Sequence, residues 1–157
     1  MRHALLIGAV LLMCSVTAHA SCFKEAGARY SIDPLLLRAI ARQESSLNPT
    51  AKNFNRDKDG HVLSIDYGLM MINSTHIPEL IRLGVIKRAS DLLSNPCLNV
   101  MIGAWILARH FKVCGISWIC LGSYNAGFKE ESEGRRLNYA RRIYAKYEEE
   151  LQGRAGG

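Results

Sequence analysis

Asp33-Pro34-Leu35-Leu36-Leu37-Arg38-Ala39-Ile40-Ala41-Arg42-Gln43-Glu44 is the stretch whose periodicity decides the fold. Its first two residues make a helix start. Asp33 suits the N-cap, and Pro34 at the first helical position lacks only an N–H that has no partner there. The spacing predicts a helix running to about Glu44. Leu37, Ile40, Ala41 and Glu44 fall at i, i+3, i+4 and i+7, so the carboxyl of Glu44 shares a face with side chains that pack inward. A carboxyl held there loses hydration in its charged form and its pKa rises, which suits a group that must hold a proton near neutral pH and deliver it. Periodicity alone leaves a second reading open, a helix-end Glu44 that reaches solvent or pairs with Arg38 or Arg42.

Outward from this helix, Asn95-Pro96 is a second strong start, leading into Cys97 to Val113 and ending at Gly115. Its apolar residues, among them Val100, Ile102, Trp105, Leu107 and Phe111, cover nearly the whole circumference, the mark of a helix in the middle of a domain. Arg109 and His110 argue against a membrane span. Shorter helices are expected over 77–83, 90–93 and 117–124, with Trp118 in the core. A last helix over 137–151 carries Ala140, Ile143, Tyr144, Tyr147 and Leu151 on one face, with a flexible tail over 152–157. Between the first helix and Gly68, the turn Asp57-Lys58-Asp59-Gly60 signals a small β-hairpin within Lys52 to Tyr67. The expected fold is therefore mainly α, one helical domain (21–151) with a small hairpin.

Residues 1–20 read as an export signal: Arg2, an apolar run from Ala4 to Val16, and Ala18-His19-Ala20 as a cleavage site before Ser21. Cys14 belongs to that discarded peptide, and no stable membrane span is expected after its removal. Cys22, Cys97, Cys114 and Cys120 remain, an even number in an oxidising compartment and without metal-site spacing. Of the three possible connectivities, Cys22 to Cys97 with Cys114 to Cys120 is favoured. The second pair is locally close, and the first would tie the new N-terminus to the core. The formal charge of +6 suits a polyanion of any kind. Export, and the lack of interleaved aromatic and basic residues, argue against nucleic acid.

Four ordered motifs then carry a resemblance: Glu44-Ser45; Asp66-Tyr67-Gly68-Leu69-Met70-Met71-Ile72-Asn73; Ser123-Tyr124-Asn125-Ala126-Gly127; and Tyr139. Together they resemble the lysozyme-like lytic transglycosylases, above all the small exported members that accompany type III, type IV or conjugation secretion and pilus machinery. The resemblance implies that Glu44 protonates the glycosidic oxygen between N-acetylmuramic acid and N-acetylglucosamine, then takes a proton from the muramyl 6-hydroxyl as a 1,6-anhydro ring closes. It implies that Ser45 orients the carboxyl or the sugar, or else caps the helix end. Gly68, Met70 and Asn73 would lie beside the sugar, with Met70 more a packing residue than a contact. Tyr124 and Asn125 would line the cleft opposite Glu44, with Tyr124 placed to bond the carboxyl or to stabilise charge on the sugar, and Tyr139 would face the same cleft. Met71 departs from the family's glutamine and removes a donor and an acceptor. No cofactor or metal is implied. The expected setting is the periplasm, the substrate peptidoglycan strands, the state monomeric, and the further partner a secretion component.

Asp66 falls at the end of the hairpin, so a carboxyl on a helix end would face a carboxylate on a sheet. Retaining glycosidases hold such a pair about 5 to 5.5 Å apart. Asp66 is accordingly a candidate to assist Glu44, the alternative being a structural role at the Gly68 turn. Asn55, Asp57, Asp59, Gly60, Val62 and Asp66 also fit an imperfect calcium-loop template, against which a plain hairpin turn is the favoured reading. Two other functions share these residues: a hydrolytic lysozyme, and a weakly active wall-binding component of a secretion assembly.

Overall fold

A computed structural model describes residues 20–155. Most of the proposed export signal lies outside them. Within the described part, helix α1 covers residues 20–30, an element not expected above, and it buries Cys22, Phe23 and Ala26. Helix α2 (Pro34–Ser45) begins as expected, with the Asp33 carboxylate accepting from the Leu35 N–H at 2.8 Å. It ends because Ser46 and Leu47 turn left-handed (φ 55° and 62°) and return their N–H groups to Arg42 and Ala41 carbonyls. Glu44 is thereby left in the last turn. Leu37, Ile40 and Ala41 are fully buried, so the face read from the sequence is the packed one.

The hairpin is present as β1 (Lys52–Arg56) and β2 (Val62–Tyr67), and a short third strand β3 (Ile72–Asn73) extends it into an antiparallel sheet of order β1-β2-β3. Asn53 pairs with Asp66, Asn55 with Ser64, and Asp66 with Asn73. Opposed residues point the same way and alternate residues share a face, so this register places Asn53, Asn55, Ser64, Asp66 and Asn73 on one side. The calcium-loop template is divided here. Asn55, Val62 and Asp66 lie on the two paired strands, with Asp66 turned to the asparagines, whereas Asp57 closes the tip by accepting from the N–H groups of Asp59 and His61, both at 2.9 Å.

Helices α3 (Ile77–Arg82) and α4 (Asp91–Ser94) lead to α5 (Pro96–Cys114), which Asn95 caps. α5 is long and apolar enough to cross a membrane, but Asn99, Val100, Ile102, Gly103, Ala104, Ile106 and Leu107 are buried in the domain core. Two short helices follow, α6 (Trp118–Leu121) and α7 (Ser123–Ala126), then α8 (Glu133–Ala155), which packs along α2. The expected last helix starts earlier and continues through the segment read as a tail, up to Ala155. Its buried residues are Tyr139, Ala140, Ile143 and Glu150, whereas Tyr144 and Leu151 are exposed. Trp118 is also exposed, at 40%, and stacks edge-on against Tyr144 instead of entering the core.

Both disulfides form as read, Cys22–Cys97 and Cys114–Cys120, spanning 75 and 6 residues. Because a longer closed loop restricts the unfolded chain more, replacing Cys22 and Cys97 by Ala is expected to cost about 4 kcal/mol, against about 2 kcal/mol for the short loop. Urea unfolding of the two variants checks the order.

Candidate active site

A cleft of 590 Å³ opens between the sheet and the helices, lined by Glu44, Lys52, Asn53, Asn55, Asp66, Met71, Asn73, Tyr124 and Asn125. The end of α2 supplies Glu44, and the polar face of the sheet supplies the wall opposite. Arg38 and Arg42 do not pair with Glu44. They are held by Glu149 and Glu150 of α8. The partner of Glu44 is Tyr139, whose hydroxyl donates to Oε1 at 2.5 Å.

The Glu44 pKa is raised from 4.5 to about 7, first by burial. The Tyr139 hydrogen bond and the charge of Arg142 oppose that rise, and the facing Asp66 adds to it. Two substitutions should therefore move the titration in opposite directions. Tyr139→Phe removes a stabiliser of the carboxylate and is expected to raise the Glu44 pKa. Asp66→Asn removes a like charge and is expected to lower it. Carboxyl carbon chemical shifts followed through pH 4 to 9, roughly the span these effects cover, check both signs.

Asp66 is held from three sides. Its Oδ2 accepts from the amides of Asn53 (3.1 Å) and Asn55 (2.8 Å), and its Oδ1 from the amide of Asn73 (2.7 Å). Asn55 and Asn73 also each donate to the Ser64 hydroxyl at 3.0 Å. This network follows directly from the strand register. Among the residues named from the sequence, Asn73 thus both lines the cleft and fixes Asp66.

For Ser45, Met70 and Tyr124 the structure selects one of the readings left open by the sequence. Ser45 does not touch the Glu44 carboxyl: its hydroxyl lies 3.1 Å from the Ala41 carbonyl and 2.9 Å from that of Leu69, a helix-end serine turned to backbone. It ties α2 to the segment running from Gly68 to Asn73. Met70 is fully buried, against Gly103 of α5, where an added Cβ would meet the Met70 side chain at 2.7 to 2.9 Å. It packs the core and has no access to a sugar. Tyr124 gives its hydroxyl to the Met70 carbonyl at 2.8 Å, and it is Tyr139 that bonds the Glu44 carboxyl. Tyr124 and Asn125 do line the cleft. Met71 lines it as well, with a left-handed φ of 47°.

Asn99 and His110 hold the site together without a motif to reveal them. The buried Asn99 amide donates to the carbonyls of Tyr67 (2.8 Å) and Leu92 (3.0 Å) and accepts from the Met70 N–H at 2.8 Å. Gly68 lies against it at φ +74°, where a Cβ would come within 2.4 Å of the Asn99 nitrogen. A single amide in the otherwise apolar stretch from Pro96 to Ala108 was the available signal. Ser123 donates its one hydroxyl proton to the Cys120 carbonyl at 2.6 Å, so His110 Nδ1, 2.7 Å from the same oxygen, must be the donor there. That chain fixes the start of α7, and with it Tyr124 and Asn125.

An acid at a helix end, facing a carboxylate on a three-stranded sheet across a polar cleft, is the layout of the lysozyme-like glycan-cleaving enzymes. The transglycosylase SLT domain family matches residues 21–146, and the chain belongs to that family, the peptidoglycan lytic transglycosylases. The "Peptidoglycan-binding-like protein" of Escherichia coli O157:H7 is 51% identical over 130 residues, covering 83% of this chain and 78% of the relative. The "Invasion protein IagB" of Salmonella typhi is 39% identical over 145 residues (92% and 86%). An "X polypeptide" of Escherichia coli is 38% identical over 149 residues (94% and 84%). The solved structure of an inactive variant of lytic transglycosylase Slt from Pseudomonas aeruginosa superposes with a TM-score of 0.65 at 18% identity, over 87% of this chain and 24% of that one. That likeness concerns the fold. The chain spans about a quarter of the Slt enzyme.

Proposed function

We propose that the chain cleaves the β-1,4 bond between N-acetylmuramic acid and N-acetylglucosamine, with Glu44 as acid and then base. The observation that carries this reading is one half-buried carboxyl with its pKa near 7, bonded by Tyr139 and facing Asp66. Protonated Glu44 gives its proton to the glycosidic oxygen as the C1–O bond breaks. The carboxylate left behind is stabilised by the Tyr139 hydroxyl and takes the proton of the muramyl 6-hydroxyl as O6 bonds to C1. Atoms balance without water, and a 1,6-anhydro end results.

Asp66 serves in this reading as a fixed negative charge beneath the positive charge that develops at C1. Both of its oxygens are occupied by amide donors, which fits charge stabilisation better than covalent attack. Asp66→Asn is expected to slow the clearing of purified wall suspensions about 10- to 100-fold while the protein stays folded. An unchanged rate would reduce Asp66 to a structural anchor.

The setting is read from the leader over 1–20 and from the relatives. A periplasmic enzyme opening the wall locally for a secretion, conjugation or pilus apparatus fits a Salmonella relative called an invasion protein and an Escherichia coli relative called peptidoglycan-binding-like.

A further inference from the structure

The last turns of α8 grip the helix that carries the acid, and they do so with residues beyond the family match, which stops at residue 146. Tyr147 donates its hydroxyl to Asp33 Oδ2 at 2.7 Å, while the other oxygen of Asp33 caps α2. Arg42 donates to Glu149 at 2.8 Å and to Glu150 at 2.9 Å, and Arg38 donates to the other oxygen of Glu150. Glu150 is only 8% exposed, a buried carboxylate satisfied by two guanidinium groups. Such a pair contributes little net stability but strongly penalises any other arrangement, so its main effect is to fix geometry.

The geometry it fixes is that of the acid. α2 is bracketed by two tyrosine-to-carboxylate bonds from α8, Tyr147 to Asp33 at its start and Tyr139 to Glu44 at its end. A slide or rotation of α8 on α2 breaks both together. The groups that act on Glu44 are Tyr139 and Arg142 of α8, Asp66 of β2 and Tyr124 of α7, and Lys52 of β1 shares the cleft. The stabilising ones, Tyr139 and Arg142, both ride on α8.

We propose that Tyr147, Glu149 and Glu150 form a positioning clamp that sets the register of α8 on α2 and thereby holds the Tyr139 hydroxyl on Glu44. The proposal rests on the reading of Glu44 as the acid. The test is the combined variant Tyr147→Phe/Glu149→Gln/Glu150→Gln, made in the wild-type and in the Tyr139→Phe backgrounds. Glu44 is titrated by its carboxyl carbon shift, and wall cleavage is followed against pH.

In the wild-type background the Glu44 titration and the alkaline limb of kcat are expected to move up together by about half a pH unit, with KM within about twofold. In the Tyr139→Phe background no further shift is expected, because the contact through which the clamp acts is already gone. A loss of thermal stability alone would appear in both backgrounds equally. An unmoved Glu44 titration in the folded clamp variant overturns the proposal, as does an equal shift in both backgrounds. Tyr147→Phe alone keeps the ion pairs and gives the same test should the combined variant not fold. If wild type and Glu44→Gln cleave alike, the acid reading fails, yet the titration still decides whether the clamp exists.

Discussion

Glu44→Gln is expected to lower wall cleavage by about a thousandfold or more and to leave the protein at least as stable as before. In the proposed reading the loss follows from removing the carboxyl that first gives and then takes the proton, a role worth about 10² to 10⁴ in rate for each transfer. The stability change has the opposite sign for a physical reason. Burial raises the Glu44 pKa from 4.5 to about 7, so between those values the folded protein binds more protons than the unfolded chain, and stability falls as pH rises through that window. Above it, the folded state carries a desolvation penalty on the order of 3 kcal/mol that a neutral glutamine does not. Melting curves should therefore show the variant gaining on wild type between pH 5 and pH 8, roughly the window of that shift. A residue that served only packing would show neither the rate loss nor this crossover.

The second large effect is expected at Asn99, which touches no substrate. Asn99→Leu keeps the volume but leaves the Tyr67 and Leu92 carbonyls and the Met70 N–H without partners in the interior. At about 1 to 3 kcal/mol for each unpaired group, the loss is on the order of 4 kcal/mol, a large share of the stability of a domain this size. The urea midpoint measures it. Activity should fall as well in the fraction that folds, because the Met70 carbonyl that receives Tyr124 belongs to the same segment.

The outline of this fold is legible in the chain wherever periodicity and capping act locally. Asp33-Pro34 and Asn95-Pro96 start helices where they are read to, and the Leu37, Ile40, Ala41 face is buried. The cleft is legible through its ordered motifs, which bring Glu44, Asp66, Asn73, Tyr124 and Asn125 to one surface. What escapes is set by partners distant in sequence. Tyr139 and Tyr124 are both tyrosines aimed at the same region, and only packing decides that the first finds the acid while the second finds a carbonyl. Ser45 had two possible partners, and its place beside the Leu69 carbonyl favours backbone. Asn53 and Asn55 become site residues only once the hairpin register is known, since that register sets them across from Asp66 and Ser64. Charged residues near the end of α8 look like a solvated face until the half-buried Arg38 and Arg42 are seen to pair with Glu150 among them.

The product ends formed on purified peptidoglycan test the central claim most directly. Mass spectrometry of a sacculus digest is expected to show muropeptides ending in 1,6-anhydro-N-acetylmuramic acid, lighter by one water than hydrolysed fragments and unchanged by borohydride, with none released by Glu44→Gln. Fragments with reducing muramic acid ends, or equal release by the variant, would contradict it.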